Sequence, residues 1–266
     1  MQYRLGCRHR GHWARGLGKG GGGALGFSLI ELLVVIAIIA ILASVLMPAL
    51  NVARSHARAT ACRSAVRQIG FAVEMYRLDF HSYYPPASSD DNKVRWMGLK
   101  RDDGSVDREA GPIYPYLRNR GKEESCPEFL PSTGGFEQGT GGFGYNSQYV
   151  GGTPGAWPFP FLTPARENQI KSPGKTVMFA DTAATDTGEP VGAHVEYPFV
   201  EAPMFEHWNY AATPSTHFRH RGTANVLFCD GRVQSMNCKK STQDAKDYAK
   251  AQLGFVGVDN TLFDRR

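Results

Sequence analysis

The chain has 266 residues and a formal net charge of +5, from 30 Lys and Arg against 25 Asp and Glu. Residues 1–26 carry Arg4, Arg8, Arg10, Arg15 and Lys19 and no acid, so the residues after Gly26 hold 25 basic and 25 acidic side chains and are formally neutral. The basic balance belongs to the first segment and gives no ground for nucleic-acid binding.

Gly26 to Leu50, GFSLIELLVVIAIIAILASVLMPAL, is an apolar run long enough for a bilayer span, which takes about 20 residues. Five residues after Gly26 it holds Glu31. A carboxylate at that depth is costly in hydrocarbon and is kept where something neutralises it. A secretory signal peptide has a shorter apolar region, roughly 7 to 15 residues. A lipoprotein has a cysteine just behind the run, whereas the first one here is Cys62. An uncleaved signal anchor accounts for the length but for neither Gly26 nor Glu31.

Gly26-Phe27-Ser28-Leu29-Ile30-Glu31, behind a basic glycine-rich leader, resembles the processing site of type IV prepilins and type II secretion pseudopilins. The resemblance implies cleavage after Gly26 by a prepilin peptidase and N-methylation of Phe27. It further implies that Glu31 pairs with the terminal amine of a neighbouring subunit during assembly. Pro48 falls where that family tends to carry a proline. The implied partners are the peptidase, other pilin or pseudopilin subunits, an inner-membrane assembly platform and membrane lipid, with no nucleic acid and no cofactor. The implied location is a single inner-membrane pass with a cytoplasmic N-terminus, the remainder lying in the periplasm or in an extracellular filament. The basic leader agrees with that orientation, although Arg54, Arg58, Arg63 and Arg67 beyond the span blur the charge comparison.

Past the span the helix continues. Ala59, Cys62, Val66, Ile69, Val73 and Tyr76 recur at steps of three and four, one apolar stripe on a helix reaching about Phe80. The arginines off this stripe read as a solvated face or head-group contacts. From Phe27 to Phe80 such a helix runs roughly 80 Å at about 1.5 Å per residue.

Cys62 to Pro86, CRSAVRQIGFAVEMYRLDFHSYYPP, resembles the helix end of a pilin-like family common in Planctomycetes, Verrucomicrobia and relatives, which carries a C-terminal H-x9-DG signature. His220, nine residues, then Asp230-Gly231 supply that signature within RHRGTANVLFCDGRVQSM. Cys126-Pro127, Gly144-Tyr145-Asn146 and SPGKTVMFADT (Ser172 to Thr182) are further family-like phrases, in the family's order. Arg232 departs from it, since histidine usually follows Asp-Gly there.

The stretch 131–164, with STGGFEQGTGGFGYN and GGTPGAWPFPFLTP, is rich in Gly and Pro and reads as long surface loops, with Trp157, Phe159 and Phe161 either packed on the domain as anchors, the favoured reading, or offered to a partner. Lys175 to Ala180, ending at Asp181, is a strand candidate. Asn225 to Cys229 and Arg232 to Met236 read as a hairpin closed by Asp230-Gly231 as a two-residue turn. A helix from Thr242 to Leu253, capped by Ser241 and stopped by Gly254, is expected in the tail. An antiparallel sheet laid over the helix stripe buries both apolar surfaces. The expected fold is therefore α+β and pilin-like, with leader 1–26, transmembrane helix 27–48, helix continuation 49–84 and a β-rich globular domain 85–266.

Cys7 leaves with the leader, and Cys62, Cys126, Cys229 and Cys238 remain. Four cysteines allow three connectivities. Cys62 on the stripe and Cys126 in a Cys-Pro turn are the favoured pair, while Cys229 and Cys238 either pair across the hairpin or stay thiols. The absence of CxxC argues against a zinc ribbon or thioredoxin-type site. Asp181, His220 and Asp230 are the candidates for a metal or acid-base site, with His194, His207 and His217 as further ligands, but fixing a loop by hydrogen bonding is the cheaper reading and no metal is expected. No P-loop, nucleophile elbow or dinucleotide fingerprint is present. The sequence thus reads as a non-enzymatic structural subunit of a pilus or secretion pseudopilus. The alternative is a membrane-tethered periplasmic domain that binds carbohydrate or metal and does not polymerise.

Overall fold

The computed structural model describes residues 28–89, 91–103, 105–117, 125–132, 138–152, 163–186, 192–206, 209–239 and 248–265. Gly26, Phe27, Trp157, Phe159, Phe161 and His207 lie outside them. The chain divides into two units, Met1–Ala49 and Leu50–Arg266, and helix α1 (Leu29–Asp79) supplies residues to both.

In the first unit the large apolar side chains of α1 from Leu29 to Met47 are exposed. Among the described residues this is the helix long and apolar enough to cross a membrane. Pro48 sits inside the helix without breaking it. It has no N–H to offer the Ser44 carbonyl one turn earlier; the Ser44 hydroxyl donates to Ile41 O at 2.7 Å.

In the second unit the same helix turns one face inward. Cys62, Ala65, Val66, Ile69, Ala72, Val73 and Tyr76 are buried, and Ala59 is half-buried, so the expected stripe is the packed face. Arg77 is buried beside it, where Glu74 and Glu167 each approach its guanidinium to 2.6 Å and the Tyr84 ring lies beneath it.

The strands pair antiparallel. Among the described residues they run, in chain order, β1 (Val94–Arg95), β2 (Gly98–Lys100), β3 (Val106–Asp107), β4 (Phe143–Tyr145), β5 (Val177–Asp181), β6 (Ala184–Thr185), β7 (His194–Val195), β8 (Met204–Phe205), β9 (Tyr210–Ala211), β10 (Thr216–His217), β11 (Thr223–Phe228), β12 (Val233–Asn237) and β13 (Leu253–Gly254). The main sheet has the order β12-β11-β5-β4 and is antiparallel throughout; β1-β2-β3 and the pairs β6-β7, β8-β9 and β10-β13 are smaller attachments. This is the α+β, pilin-like arrangement of a long N-terminal helix with an antiparallel β region.

Alternation along β11 divides the core. Leu227 joins the cluster that includes Val66, Ile69 and Val73 of the helix, its methyls over Gly70. Ala224, Val226 and Phe228 join a second cluster with Val256 and Phe263 from the C-terminal tail. The sheet is covered on both faces, which is why β5 is buried at every position instead of alternating.

Three expectations are corrected. Residues 131–164 are not all surface loop: β4 is an inner-facing strand, and Ser147–Gly151 forms one buried π-helical turn. Gly144 belongs in this strand because a side chain there would lie 2.5 Å from Phe199 backbone and from Thr182 Cγ2. The tail helix does not extend to Leu253. Ala249–Ala251 is one 3-10 turn, Gln252 turns left-handed at φ 55°, and Leu253–Gly254 pairs with β10; 240–247 lie outside the described residues.

The third correction is the hairpin turn. Gly231 N–H donates to Phe228 O, and Phe228 N–H donates to Arg232 O, so the loop holds three residues, Cys229, Asp230 and Gly231. Only Gly231 among them has positive φ, at 82°, the pattern of a type I turn closed by a glycine bulge. Nothing lies within 4 Å of a Cβ built on Gly231, so the requirement there is purely backbone. Gly231→Val is expected to cost about 1–3 kcal/mol, the scale of a non-glycine residue held in a sparsely populated region. Gly231→Asn, which tolerates that region, should lose much less. Thermal unfolding of the detergent-solubilised chain, followed by near-UV circular dichroism, checks the order Gly, Asn, Val.

Candidate functional site

Ser28 and Glu31 set the start of α1. Ile30 N–H donates to Ser28 Oγ at 3.3 Å and Ser28 N–H donates to Glu31 Oε2 at 2.9 Å, so the two side chains cap the helix reciprocally. The carboxylate that the sequence places in an apolar run therefore has a partner in its own first turn, at the positive end of the helix dipole.

A second constellation lies inside the globular unit. Asp181, the last residue of β5, is fully buried. Its register partner across the sheet would be Asn225, one step beyond Val226–Ala180. There the side chain replaces the ladder: Asp181 Oδ2 accepts Asn225 N–H at 2.6 Å and lies 3.2 Å from His220 Nε2. Asp181 Oδ1 accepts from Arg219 Nη2 at 2.9 Å and from the Cys62 thiol at 3.1 Å.

The other side of His220 meets Glu128, Nδ1 to Oε2 at 2.5 Å, and its Nε2 is 3.5 Å from Cys126 Sγ. Arg219 has five acceptors: Asp181, Gly142 O at 2.6 Å, Thr182 O at 3.2 Å, Cys126 Sγ at 3.2 Å and His217 Nδ1 at 3.3 Å. Its guanidinium also lies over the Phe129 ring, 4.8 Å from the centroid.

The electrostatics follow from this crowding. Burial by itself would raise the Asp181 carboxyl, but Arg219, His220 and the Asn225 amide outweigh it and hold the carboxyl below its ordinary value. Burial opposes charge on His220 as well, yet hydrogen bonding to Asp181 and Cys126 lifts it to about 10. Burial raises the Cys62 thiol, whereas the neighbouring Cys62, then hydrogen bonding to His220 and the positive charge of Arg219, lower Cys126 against its own burial. The protein without a bound ion thus holds an imidazolium and a guanidinium against buried anions. With all four of Cys62, Cys126, Asp181 and His220 buried, the arrangement offers a reacting group no open face.

The structure therefore brings together Cys62, Cys126, Asp181 and His220, and leaves Asp230 apart. Asp230 follows β11, at the end away from His220. It accepts Arg232 N–H at 3.0 Å and lines a groove of about 420 Å³ with Arg67, Glu74, Arg77 and Glu167. Arg232, standing where the resemblance has histidine, donates to Gly174 O at 2.5 Å and covers the Phe228 ring. Cys62 and Cys126 are adjacent with unbonded sulfurs; Cys229 is buried and Cys238 is exposed. The His194 and His217 rings lie 4.3 Å apart at a tilt of 41°, and His217 is pushed down to about 2, first by burial and then by Arg219, so it stays neutral. Sequence reasoning missed Arg219 and Glu128. The signal available was position: Arg219 adjoins His220, and Glu128 closes the Cys126-Pro127 turn.

A family model described as the prokaryotic N-terminal methylation motif matches residues 23–47. The chain is also 43% identical over 83 residues to the type IV wide pilus major component PilA4 of Thermus thermophilus, a match that takes in 31% of this chain and 60% of that protein. The chain thus spans less than two thirds of the curated relative it matches. No solved structure matches. The motif and the relative thus show a likeness to type IV prepilins in the N-terminal part of the chain.

Arg219→Met should be severely destabilising, by about 3–5 kcal/mol, because it leaves the buried Asp181 carboxylate short of its strongest counter-charge. Arg219→Met combined with Asp181→Asn should recover part of that loss, as removing both partners leaves no unpaired charge. Urea unfolding of the single and double variants measures the difference. Additive losses would mean that the two residues do not act as a pair.

Proposed function

We propose that this type IV prepilin-like chain is a structural subunit, cut between Gly26 and Phe27, N-methylated on Phe27 and assembled through α1 into a type IV pilus-like filament or secretion pseudopilus. The carrying observation is that the matched methylation motif, 23–47, runs into a helix whose large apolar side chains from Leu29 to Met47 are exposed. Bare apolar surface of that length needs lipid or other helices as its solvent.

On this reading the basic leader stays in the cytoplasm, the first half of α1 spans the inner membrane, and the unit from Leu50 onward faces the periplasm. The partners are the prepilin peptidase, neighbouring subunits, the assembly platform and lipid. The work is mechanical and not catalytic.

Mass spectrometry of the mature N-terminus tests the processing step. The expected species begins with N-methylated Phe27, and Gly26 replaced by a bulky residue should accumulate as precursor, since glycine lets the backbone approach an enzyme closely. An intact Met1 terminus in the native host would reject it.

Glu31 carries two roles that one substitution separates. As a capping residue it accepts Ser28 N–H, a bond that glutamine also makes. As an assembly residue its charge meets the Phe27 amine of a neighbour, which glutamine cannot match. Glu31→Gln should therefore keep the helix start but lose in-membrane crosslinked oligomers, because breaking one partner of a buried pair costs about 3–5 kcal/mol. Equal oligomer yields from wild type and Glu31→Gln would favour the tethered domain that does not polymerise.

A further inference from the structure

We propose that Cys62, Cys126, Asp181 and His220 form a closed, tetrahedral structural site for a divalent transition-metal ion of the zinc class. The expectation from sequence was no metal, with Asp181, His220 and Asp230 as the candidates. The fold removes Asp230 and adds two sulfurs.

The geometry carries the argument. The four donor atoms lie within 4.8 Å of one another, and all four residues are buried. Within the cluster Cys62 Sγ lies 3.1 Å from Asp181 Oδ1, His220 Nε2 lies 3.2 Å from the other oxygen, Asp181 Oδ2, and Cys126 Sγ lies 3.5 Å from His220 Nε2. A tetrahedron built from metal–sulfur bonds of about 2.3 Å and metal–nitrogen or metal–oxygen bonds of about 2.0–2.1 Å has edges of roughly 3.3–3.8 Å. With every pair of donors within 4.8 Å, an ion draws the four together by about an ångström or less.

The surroundings point the same way. Metal-bound histidine characteristically donates its other ring N–H to a carboxylate, which fixes the tautomer and aims the free lone pair at the ion. Glu128 Oε2 is 2.5 Å from His220 Nδ1 and leaves Nε2 facing the cluster. Asn225 N–H and Arg219 hold the Asp181 carboxylate, and Arg219 Nε–H donates to Cys126 Sγ at 3.2 Å. These are the groups that orient ligands rather than ligate.

Charge selects the ion. Two thiolates and the Asp181 carboxylate carry three negative charges, which a divalent ion and the Arg219 guanidinium match, while the half-buried Glu128 carboxylate accepts from His220 Nδ1 at the edge of the site. Binding the ion displaces the thiol protons and the His220 imidazolium proton to solvent, so that each ligand presents a lone pair. Two sulfurs, one nitrogen and one oxygen in a four-donor set suit zinc, whereas calcium and magnesium demand six or more oxygens. With no exposed position left, the ion is structural: it ties α1 to the Cys126 turn, the end of β5 and the approach to β11.

The same sulfurs could instead be joined as a disulfide, which would need neither His220 nor Glu128. The two states exclude each other, so one preparation decides. The full chain is purified in detergent without chelator, and its metal content is measured by inductively coupled plasma mass spectrometry alongside peptide mapping of its thiols. The expected result is one zinc per chain with Cys62 and Cys126 unbridged. After exchange with cobalt(II), the wild-type chain should show thiolate-to-cobalt charge transfer and the intense d–d bands of a tetrahedral site. Glu128→Gln, which keeps all four ligands, should weaken zinc affinity about 10–100-fold. Cys62→Ser should lose the cobalt spectrum, and Cys238→Ser, outside the cluster, should retain it. A metal-free chain with a Cys62–Cys126 disulfide overturns the proposal. So does a reduced chain that takes up neither zinc nor cobalt.

Discussion

The globular unit depends on one buried carboxylate. Asp181 is fully buried, and its oxygens are met by Cys62 from the helix, Arg219 and His220 from the approach to β11, and the Asn225 amide of β11 itself. A lone charge in that position would cost several kcal/mol. Every one of these partners has to be in place, and placing them fixes where the helix lies on the sheet and where β11 begins. Apolar packing of Val66, Ile69 and Leu227 supplies the driving force, but oily surfaces slide past one another more readily than a saturated carboxylate does. The polar cluster turns a hydrophobic contact between helix and sheet into a defined one.

Helix α1 has two solvents and therefore two kinds of sequence. From Leu29 to Met47 it is apolar all round and exposed all round, which only hydrocarbon or other helices tolerate. From Cys62 onward small and medium residues occupy one face, and Arg63 and Arg67 lie off it, Arg63 reaching Ser235 of β12 at 2.6 Å. This contrast was legible without coordinates, since a continuous apolar run and a stripe at steps of three and four are different patterns in one dimension. The cap formed by Ser28 and Glu31 went unread in the sequence, although Ser-x-x-Glu is its pattern, because Glu31 stood out as a carboxylate in an apolar run.

Less was legible where the partner is distant in sequence. Cys62 and Asp181 are 119 residues apart, and Cys126 and His220 are 94 apart, so no local pattern announces that they meet. Arg219 reads as an ordinary surface charge until it is found with five acceptors around it. The stretch 131–164 misled because its glycines suggest loops. Gly144 serves close approach instead, letting Phe199 backbone lie against β4. Composition counts glycines and cannot tell a flexible position from a crowded one.

The nine residues between His220 and Asp230 have a physical meaning in this fold. His220 and Gly231 do different things at opposite ends of one strand. The first binds Asp181 and Glu128, and the second closes the hairpin with positive φ. What lies between is a turn, the six residues of β11 and another turn, with the strand alone spanning about 20 Å at roughly 3.3 Å per residue. That strand must put Asn225 N–H on the Asp181 carboxylate, Leu227 over Gly70, and Val226 and Phe228 against the tail. Inserting or deleting one residue within it would exchange the two faces, turning Leu227 away from the helix and pulling Asn225 off Asp181. The spacing is therefore a length set by the sheet, and its two ends are linked through register without touching.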